Sequence, residues 1–454
     1  MKIARKSKQF FIFIIDFLIL YGTLYLTLFM RKWSLPTEVS WQAHVNAFTF
    51  AFIGWAVIFY TVGLYVLETS YNSIKFATRL FISVALSTLL TALMFYLRPD
   101  VDISPKTVLF LFALLSYIFI FSWRIAYGRL ARTSAIRYSV AFIGATDEVL
   151  HLAEVIEKQP YLGYSMTFIH DEEGVCPPTK LKKLTSPSEL RDEITARMPD
   201  LFVMVNGARL EMETRRLLFG LIGEGARYIS LPEFYEMILR RVPIDAINDS
   251  WFLENIDLRA KKTYLVIKGI LDRVLAILTL LFTSPLLLLI MIAIFAESRG
   301  PVIFKQVRLG KKNKPFTILK FRTMRIEKNN FVPTSVGDSR ITPIGKFLRA
   351  TRLDELPQMI NIFRGDMSFI GPRPERPELA EMLASAIPYY MQRHLLKPGL
   401  TGWDQVSGEY HSPSIEDTYK KLQFDLYYIK NTSLFLDISI FFKTIMTILS
   451  RSGI

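Results

Sequence analysis

Two adjacent carboxylates, Asp354 and Glu355, lie in Leu353-Asp354-Glu355-Leu356-Pro357-Gln358, with Arg349 and Arg352 just before them. Asp338-Ser339-Arg340-Ile341-Thr342 precedes this run, and Gly365-Asp366-Met367-Ser368 and Gly371-Pro372-Arg373-Pro374-Glu375 follow it. Guanidinium groups hold phosphate oxygens bidentately, and a carboxylate can bind a metal or attack phosphorus. A window rich in both suits a phosphorylated substrate. Neighbours on a helix diverge by about 100°, so Asp354 and Glu355 are expected to take separate roles rather than share one proton. Pro357 suits the first turn of a helix, which would leave the carboxylates at its entrance, where free backbone N–H groups favour phosphate. A capped, solvated helix start accounts for Asp-Glu alone. It does not account for the arginines and prolines around it.

The elements that must position these groups follow from patterning. Phe316–Met324 reads as a strand whose alternation puts Phe316, Ile318, Lys320 and Arg322 on one face, giving it a basic end. Arg373 stands between Pro372 and Pro374, which fix an extended backbone and leave the guanidinium little freedom to lose. Pro377 is expected to begin a helix through about Leu396, with Arg393 near its end. Lys397-Pro398-Gly399-Leu400-Thr401-Gly402-Trp403 is a turn-rich loop. Leu434–Leu449 is apolar but carries Asp437 and Lys443, so it is expected to be an interfacial or docking helix.

Taken in order, Lys320-Phe321-Arg322-Thr323-Met324, the Leu353–Gln358 run, Gly371–Glu375 and Lys397–Trp403 resemble the bacterial sugar transferase family, the monotopic phosphoglycosyl transferases. The similarity spans roughly residues 262–454, and the whole chain is similar to the large form of that family. Asp425, in Phe424-Asp425-Leu426-Tyr427-Tyr428, resembles a further motif. The resemblance implies transfer of a sugar 1-phosphate from a UDP-sugar to polyprenyl phosphate, with release of UMP, in two steps. Asp354 would attack the β-phosphorus, and the carrier's phosphate would attack the resulting aspartyl phospho-sugar. Mg²⁺ is expected on Asp354 and Glu355, with Glu355 positioning either the metal or the acceptor. Lys320, Arg349, Pro372, Arg373, Arg393 and Asp425 would surround the substrate's phosphates.

The rest of the chain reads as membrane protein. It has 454 residues, 51% of them hydrophobic, and a net charge of +14. Its mean hydropathy of +0.28 is high for a soluble protein. With membrane segments present, the positive charge is expected to serve anionic lipid and phosphorylated substrates rather than nucleic acid. Cys176 is the only cysteine, which rules out an intrachain disulfide, and no Cys/His cluster marks a zinc site. Four apolar spans come first, at about Phe10–Met30, Phe48–Leu67, Phe81–Leu97 and Thr107–Trp123. Asp16 inside the first is expected to face other helices. Basic residues number ten in the N-terminus, the second loop and the segment after the fourth span, against four in the other two loops. That bias puts both ends in the cytoplasm.

Residues 137–250 alternate strands such as Tyr138–Ile143 and Leu201–Val205 with helices, which predicts a parallel α/β sheet. The resemblance implies a Rossmann-like domain here, yet the dinucleotide glycine fingerprint is absent. Tyr264–Phe295 is a long apolar stretch with Ser284-Pro285 in its middle. A fifth crossing would export the catalytic residues from the cytoplasm, where nucleotide sugars are found. A re-entrant helix over about 264–296, broken at Ser284-Pro285, is therefore expected, and the resemblance implies the same break.

The expected architecture is a membrane α/β protein. It comprises a four-helix transmembrane bundle (1–136), a Rossmann-like domain (137–250) and a phosphoglycosyl transferase domain with the re-entrant helix (251–454) in the bacterial inner membrane. Expected partners are UDP-sugar, polyprenyl phosphate and membrane lipid, with a homodimer left open. A non-catalytic membrane scaffold for polysaccharide assembly is the competing reading. It does not explain the set Lys320, Asp354, Glu355 and Arg373. A multi-span transferase built on loop aspartates ranks last, because the four spans lack Asp-Asp pairs.

Overall fold

The structure is a computed structural model of the chain. It describes residues 2–65, 71, 73–97, 106–130, 137–174, 181–325, 338–407 and 414–449. Cys176 and the loop charges Arg98 and Arg132 fall outside these residues. The chain divides into two compact units, Met1–Leu239 and Arg240–Ile454.

The first unit opens with four long helices, α1 (Lys2–Lys32), α2 (Glu38–Thr61), α3 (Ile74–Leu97) and α4 (Lys106–Leu130). Among the described residues five helices are long and apolar enough to cross a membrane: Gln9–Lys32, Glu38–Thr61, Phe76–Leu97, Val108–Leu130 and Lys262–Glu297. Leu20, Leu24, Phe52, Trp55, Phe76, Leu80 and Phe112 join the first four helices in one apolar cluster. Asp16 does face its neighbours: its Oδ2 accepts Arg124 Nη2 at 2.5 Å, with both side chains buried. The hydropathy pattern puts Arg124 just after the fourth span. It lies inside α4, so it acts as a helix-to-helix pair and not as a loop charge.

The α/β part of this unit runs β1 (Tyr138–Ile143), α5 (Asp147–Lys158), β2 (Tyr164–His170), β3 (Lys182–Leu184), α6 (Pro187–Ala196), β4 (Leu201–Met204), α7 (Met212–Gly223), β5 (Tyr228–Ser230) and α8 (Leu231–Leu239). Its five strands pair in parallel in the order β3-β2-β1-β4-β5. Parallel neighbours require crossover connections, which the intervening helices provide. Ala141, Ile143, Phe168, Phe202, Leu218 and Leu221 fill the core on one side.

The second unit consists of α9 (Asp249–Asn255), α10 (Lys262–Glu297), β6 (Ile303–Leu309), β7 (Pro315–Phe321), α11 (Pro343–Thr351), α12 (Gln358–Arg364), β8 (Ser368–Ile370), α13 (Pro377–Ala386), β9 (Gly399–Thr401), α14 (Ile415–Asn431) and α15 (Leu434–Leu449). Residues 240–250, read from sequence as the end of the α/β domain, pack here. Val242 N–H donates to Gln423 O at 3.0 Å, and Trp403 Nε1 donates to Arg240 O at 3.0 Å. β6 and β7 form an antiparallel ribbon, and β8 and β9 a short parallel one.

One expectation is corrected by this unit. The helix expected from Pro377 to Leu396 stops at Ala386. The residue before Pro388 is pushed out of the helical region, and a 3-10 turn, Tyr390–Leu395, carries the chain onward. At Ser284-Pro285, where the re-entrant break is expected, the secondary structure stays helical within Lys262–Glu297. Pro285 has no N–H to give to Leu281 O, four residues back. Ser284 Oγ donates to that same carbonyl at 2.8 Å, so it keeps a partner and the helix continues.

Candidate active site

Asp354 and Glu355 occupy a 3-10 turn, Leu353–Glu355, between α11 and α12. Arg352 ends α11 in the left-handed region, at φ 58°, and so turns the chain into this segment. For a non-glycine residue that conformation costs of order 1–3 kcal/mol. It separates the two carboxylates from the helix axis behind them, and Pro357 then caps α12.

The two carboxylates live in different surroundings. Glu355 is buried, and its Oε1 accepts Lys320 Nζ at 2.7 Å and Arg373 Nη2 at 3.1 Å. Burial alone would raise its carboxyl. The Arg373 guanidinium and the Lys320 ammonium overcome that and hold it at about 2. Among the described residues no cation bonds to Asp354. Burial, reinforced by the Glu355 charge, raises its carboxyl above the ordinary aspartate value. Its Oδ1 is buried without a hydrogen-bond partner among the described residues. Environments that push two neighbouring carboxyls apart assign them different work. Glu355 organises cations, and Asp354 is the free, half-desolvated oxygen donor.

Each cation reaches this point from a different element. Lys320 stands near the end of β7, where pairing with Phe304 on β6 fixes its side. Burial draws its ammonium down and Glu355 opposes that. Arg322, expected on the same basic face, is used elsewhere: it donates to the Ser298 and Arg299 carbonyls at the end of α10. A guanidinium there complements the negative end of that helix. Arg373 follows β8, whose partner β9 also secures the loop through Gly399 N–H to Pro372 O at 2.9 Å. Pro372 is buried, and Arg373 keeps 39% of its side chain exposed, so it can meet a substrate. Arg349 donates through Nε to Thr323 Oγ1 at 2.8 Å and acts on Asp354 through its charge.

Arg393 and Asp425 are brought to the site differently from the sequence expectation. Both are buried, and they pair with each other: Arg393 Nε and Nη2 lie 3.0 and 2.8 Å from Asp425 Oδ2. Arg393 Nη1 donates to Tyr390 Oη at 2.6 Å, and Nη2 also donates to Arg373 O at 3.1 Å. Burial pushes the Asp425 carboxyl up to about 7, against the pull of Arg393. With its fork occupied, Arg393 has no open face for phosphate. It holds the backbone of Arg373, the residue that does.

A divalent cation fits part of this arrangement. The buried, unpartnered Asp354 Oδ1 is a hard oxygen ligand. Mg²⁺ takes one or two carboxylates and completes its shell with water and substrate phosphates. Among the described residues no group of three or more His, Cys, Asp and Glu side chains forms an all-protein cage. Glu355 is expected from sequence as a second ligand, but its Oε1 is already shared by two cations.

Comparison with known proteins gives this geometry a context. Residues 263–451 match the bacterial sugar transferase family, and residues 61–192 match a family described as a CoA-binding domain. A UDP-glucose:undecaprenyl-phosphate glucose-1-phosphate transferase of Klebsiella pneumoniae is 30% identical over 440 residues, covering 95% of this chain and 93% of that protein. A UDP-N-acetylgalactosamine-undecaprenyl-phosphate N-acetylgalactosaminephosphotransferase of Aeromonas hydrophila is 41% identical over 225 residues, 49% of this chain and 52% of that one. An uncharacterised sugar transferase of Bacillus subtilis is 39% identical over 197 residues, which is 42% of this chain but 91% of that shorter protein.

Proposed function

We propose, from the premise that this chain belongs to the bacterial sugar transferase family, how its second unit performs the reaction. The protein is an enzyme that transfers a sugar 1-phosphate from a UDP-sugar to undecaprenyl phosphate. The observation that carries the mechanism is the contrast between the two carboxylates. In the first step an Asp354 oxygen forms a bond to the β-phosphorus, and the bridging bond to UMP breaks. UMP leaves with the bridging oxygen. In the second step a phosphate oxygen of the carrier attacks that phosphorus, the acyl phosphate bond breaks, and the Asp354 carboxylate is restored.

The chain's residues supply charge and position. Arg373, half-exposed beside Glu355, receives phosphate oxygens in its planar fork, with Lys320 and Arg349 around it. Glu355 fixes the first two of these cations. Arg393 and Asp425 fix the Arg373 backbone. Bound Mg²⁺ on Asp354 and the substrate would neutralise diphosphate charge.

The finer architecture belongs to this reading too. The four N-terminal helices form a transmembrane bundle in the inner membrane, the α/β part is Rossmann-like, and it lies with the catalytic unit on the cytoplasmic side. Helix α10 is re-entrant. Support comes from where its two halves pack. Ala276 joins a cluster with Ile318 of β7, while Ile290 and Ile294 join one with Phe321. A bend at Pro285 brings both halves to one small domain and leaves Leu281 and Phe282, both largely exposed, for the lipid.

The test is intact mass after incubation with UDP-sugar and Mg²⁺ but no carrier. Wild-type protein should gain one sugar phosphate that hydroxylamine removes, and Asp354→Asn should gain none. A wild type that stays unmodified while added carrier is turned over would replace this mechanism with direct transfer.

A further inference from the structure

Besides Arg373, which follows β8, a second basic corner lies where the chain enters β8 and β9. Gly365 closes α12 in the left-handed region, at φ 89°. A Cβ built there would lie 3.1 Å from Arg273 Nη2 and 3.3 Å from Lys397 Nζ, so the two cations are within about 6.4 Å of each other. Lys397 directly precedes Pro398, whose carbonyl accepts Ser368 N–H at 2.9 Å, and Asp272 Oδ1 accepts Phe369 N–H at 3.4 Å. Three segments therefore meet where the chain turns into β8. Neither Arg273 nor Lys397 has a hydrogen bond or ion pair among the described residues. Like charges normally avoid such closeness unless an anion lies between them. The mutual repulsion shows on Lys397, whose ammonium is lowered by burial and then by Arg273. The charges of Asp272 and Asp366 oppose this, and Lys311 adds a third positive charge. The short α12, seven residues long, offers only a weak negative end to offset them.

Position along α10 indicates which anion this is. Arg273 is the last charged residue before Val274, Leu275, Ile277, Leu278, Leu281 and Phe282, all exposed. If that apolar run lies in lipid, as proposed above, Arg273 stands at the headgroup plane, where basic residues attract lipid phosphate. The carrier's own phosphate must reach Asp354, next to Glu355 and the Arg373 and Lys320 that pair with it. We propose that Arg273 and Lys397, with the backbone at Gly365, form a site for a lipid-borne phosphate separate from the catalytic cluster. Its favoured occupant is an anionic phospholipid of the bilayer.

This proposal rests on the membrane reading of α10 but not on the chemistry of Asp354, so binding is measured apart from turnover. Full-length protein would be compared with Arg273→Gln/Lys397→Gln in nanodiscs of phosphatidylcholine alone and with phosphatidylglycerol added. Native mass spectrometry would count retained lipid. Each basic group near a membrane surface is worth about fivefold in affinity, so the double variant should hold phosphatidylglycerol about 30-fold less tightly. UMP release would be followed in the same discs at varied undecaprenyl phosphate. Stimulation by phosphatidylglycerol in wild type only assigns the site to the phospholipid. A raised KM for the carrier in pure phosphatidylcholine, with kcat kept, assigns the same site to the carrier's phosphate. Equal lipid retention and equal kinetics in both proteins would overturn the site. Absence of UMP release from every sample, with the retention difference intact, would count against the transferase reading alone.

Discussion

Glu355→Gln tests the arrangement at its centre. The carboxyl moves from an ordinary 4.5 to about 2 in the folded protein because Arg373 and Lys320 stabilise its ionised form against burial. A difference of that size corresponds to about 3 kcal/mol of stability at neutral pH. Glutamine keeps an oxygen that can accept from both cations but carries no charge, so about 3 kcal/mol is the upper bound of the loss. For a unit of this size that lowers the thermal midpoint by about 6–12 °C. The sign with pH follows from the depressed value. The contribution is complete above pH 4.5 and vanishes as pH falls toward 2, because the folded protein then binds the proton the unfolded chain already holds. Thermal unfolding of the two purified proteins at pH 7, 4.5 and 2 should show the gap at the first pH and its closure at the last. Lys320→Met added to the Glu355→Gln variant should recover part of the loss, since it removes a cation left without its partner. A midpoint at pH 7 equal to that of wild type, or a gap that does not narrow on acidification, would refute the assignment of Glu355 as the anchor of both cations.

Other consequences can be read with the same proteins. Arg373→Lys keeps the charge and loses the fork, so UMP release should fall about 10²–10³-fold with the thermal midpoint unchanged. In the proposed mechanism Asp354 must be ionised to attack, and its carboxyl is raised by burial and then by Glu355. The acid limb of kcat/KM should therefore lie above the ordinary aspartate range and move to lower pH in the residual activity of Glu355→Gln. Ser284→Ala strips Leu281 O of its donor and should cost about 1–3 kcal/mol in thermal unfolding within lipid, with no change in the site itself. A fragment starting at Arg240 should release UMP. One starting at Lys262 loses the buried Val242, Ile244, Ile247 and Trp251 and should unfold at lower temperature.

What could be read from sequence was what the chain encodes locally. The Pro-flanked Arg373, the adjacent carboxylates before Pro357 and the apolar lengths of the N-terminal helices each announce themselves within a few residues. Strand β2 does not: Tyr-Ser-Met-Thr-Phe-Ile-His mixes polarity, and only pairing with β1 makes it a strand. The β6 strand has an exposed, charged face and is held by its ladder with β7. The partner of Asp16 lies 108 residues away, and no local pattern could have named Arg124 for it.

The misreading of Arg393 shows where local reasoning ends at the site itself. An arginine near a phosphate-binding motif has the right charge for a ligand, and sequence cannot say whether its fork is open. Here three groups fill it, Asp425, Tyr390 and the Arg373 carbonyl, the first two 32 and 3 residues away. In the proposed mechanism that saturation has a use. There, Arg373 would reach substrate only with its backbone fixed, and the prolines on either side remove conformations without choosing a position in space. The buried Arg393 and the β9 strand make that choice, through Arg373 O and Pro372 O. Arg393→Lys would keep a positive charge against Asp425 but could not reach all three partners with one ammonium. Its expected signature is a fall in kcat shared with Arg373→Lys and, in the double variant, little further loss, because both changes disable the same guanidinium. Independent, multiplying losses would mean that Arg393 meets the substrate directly after all.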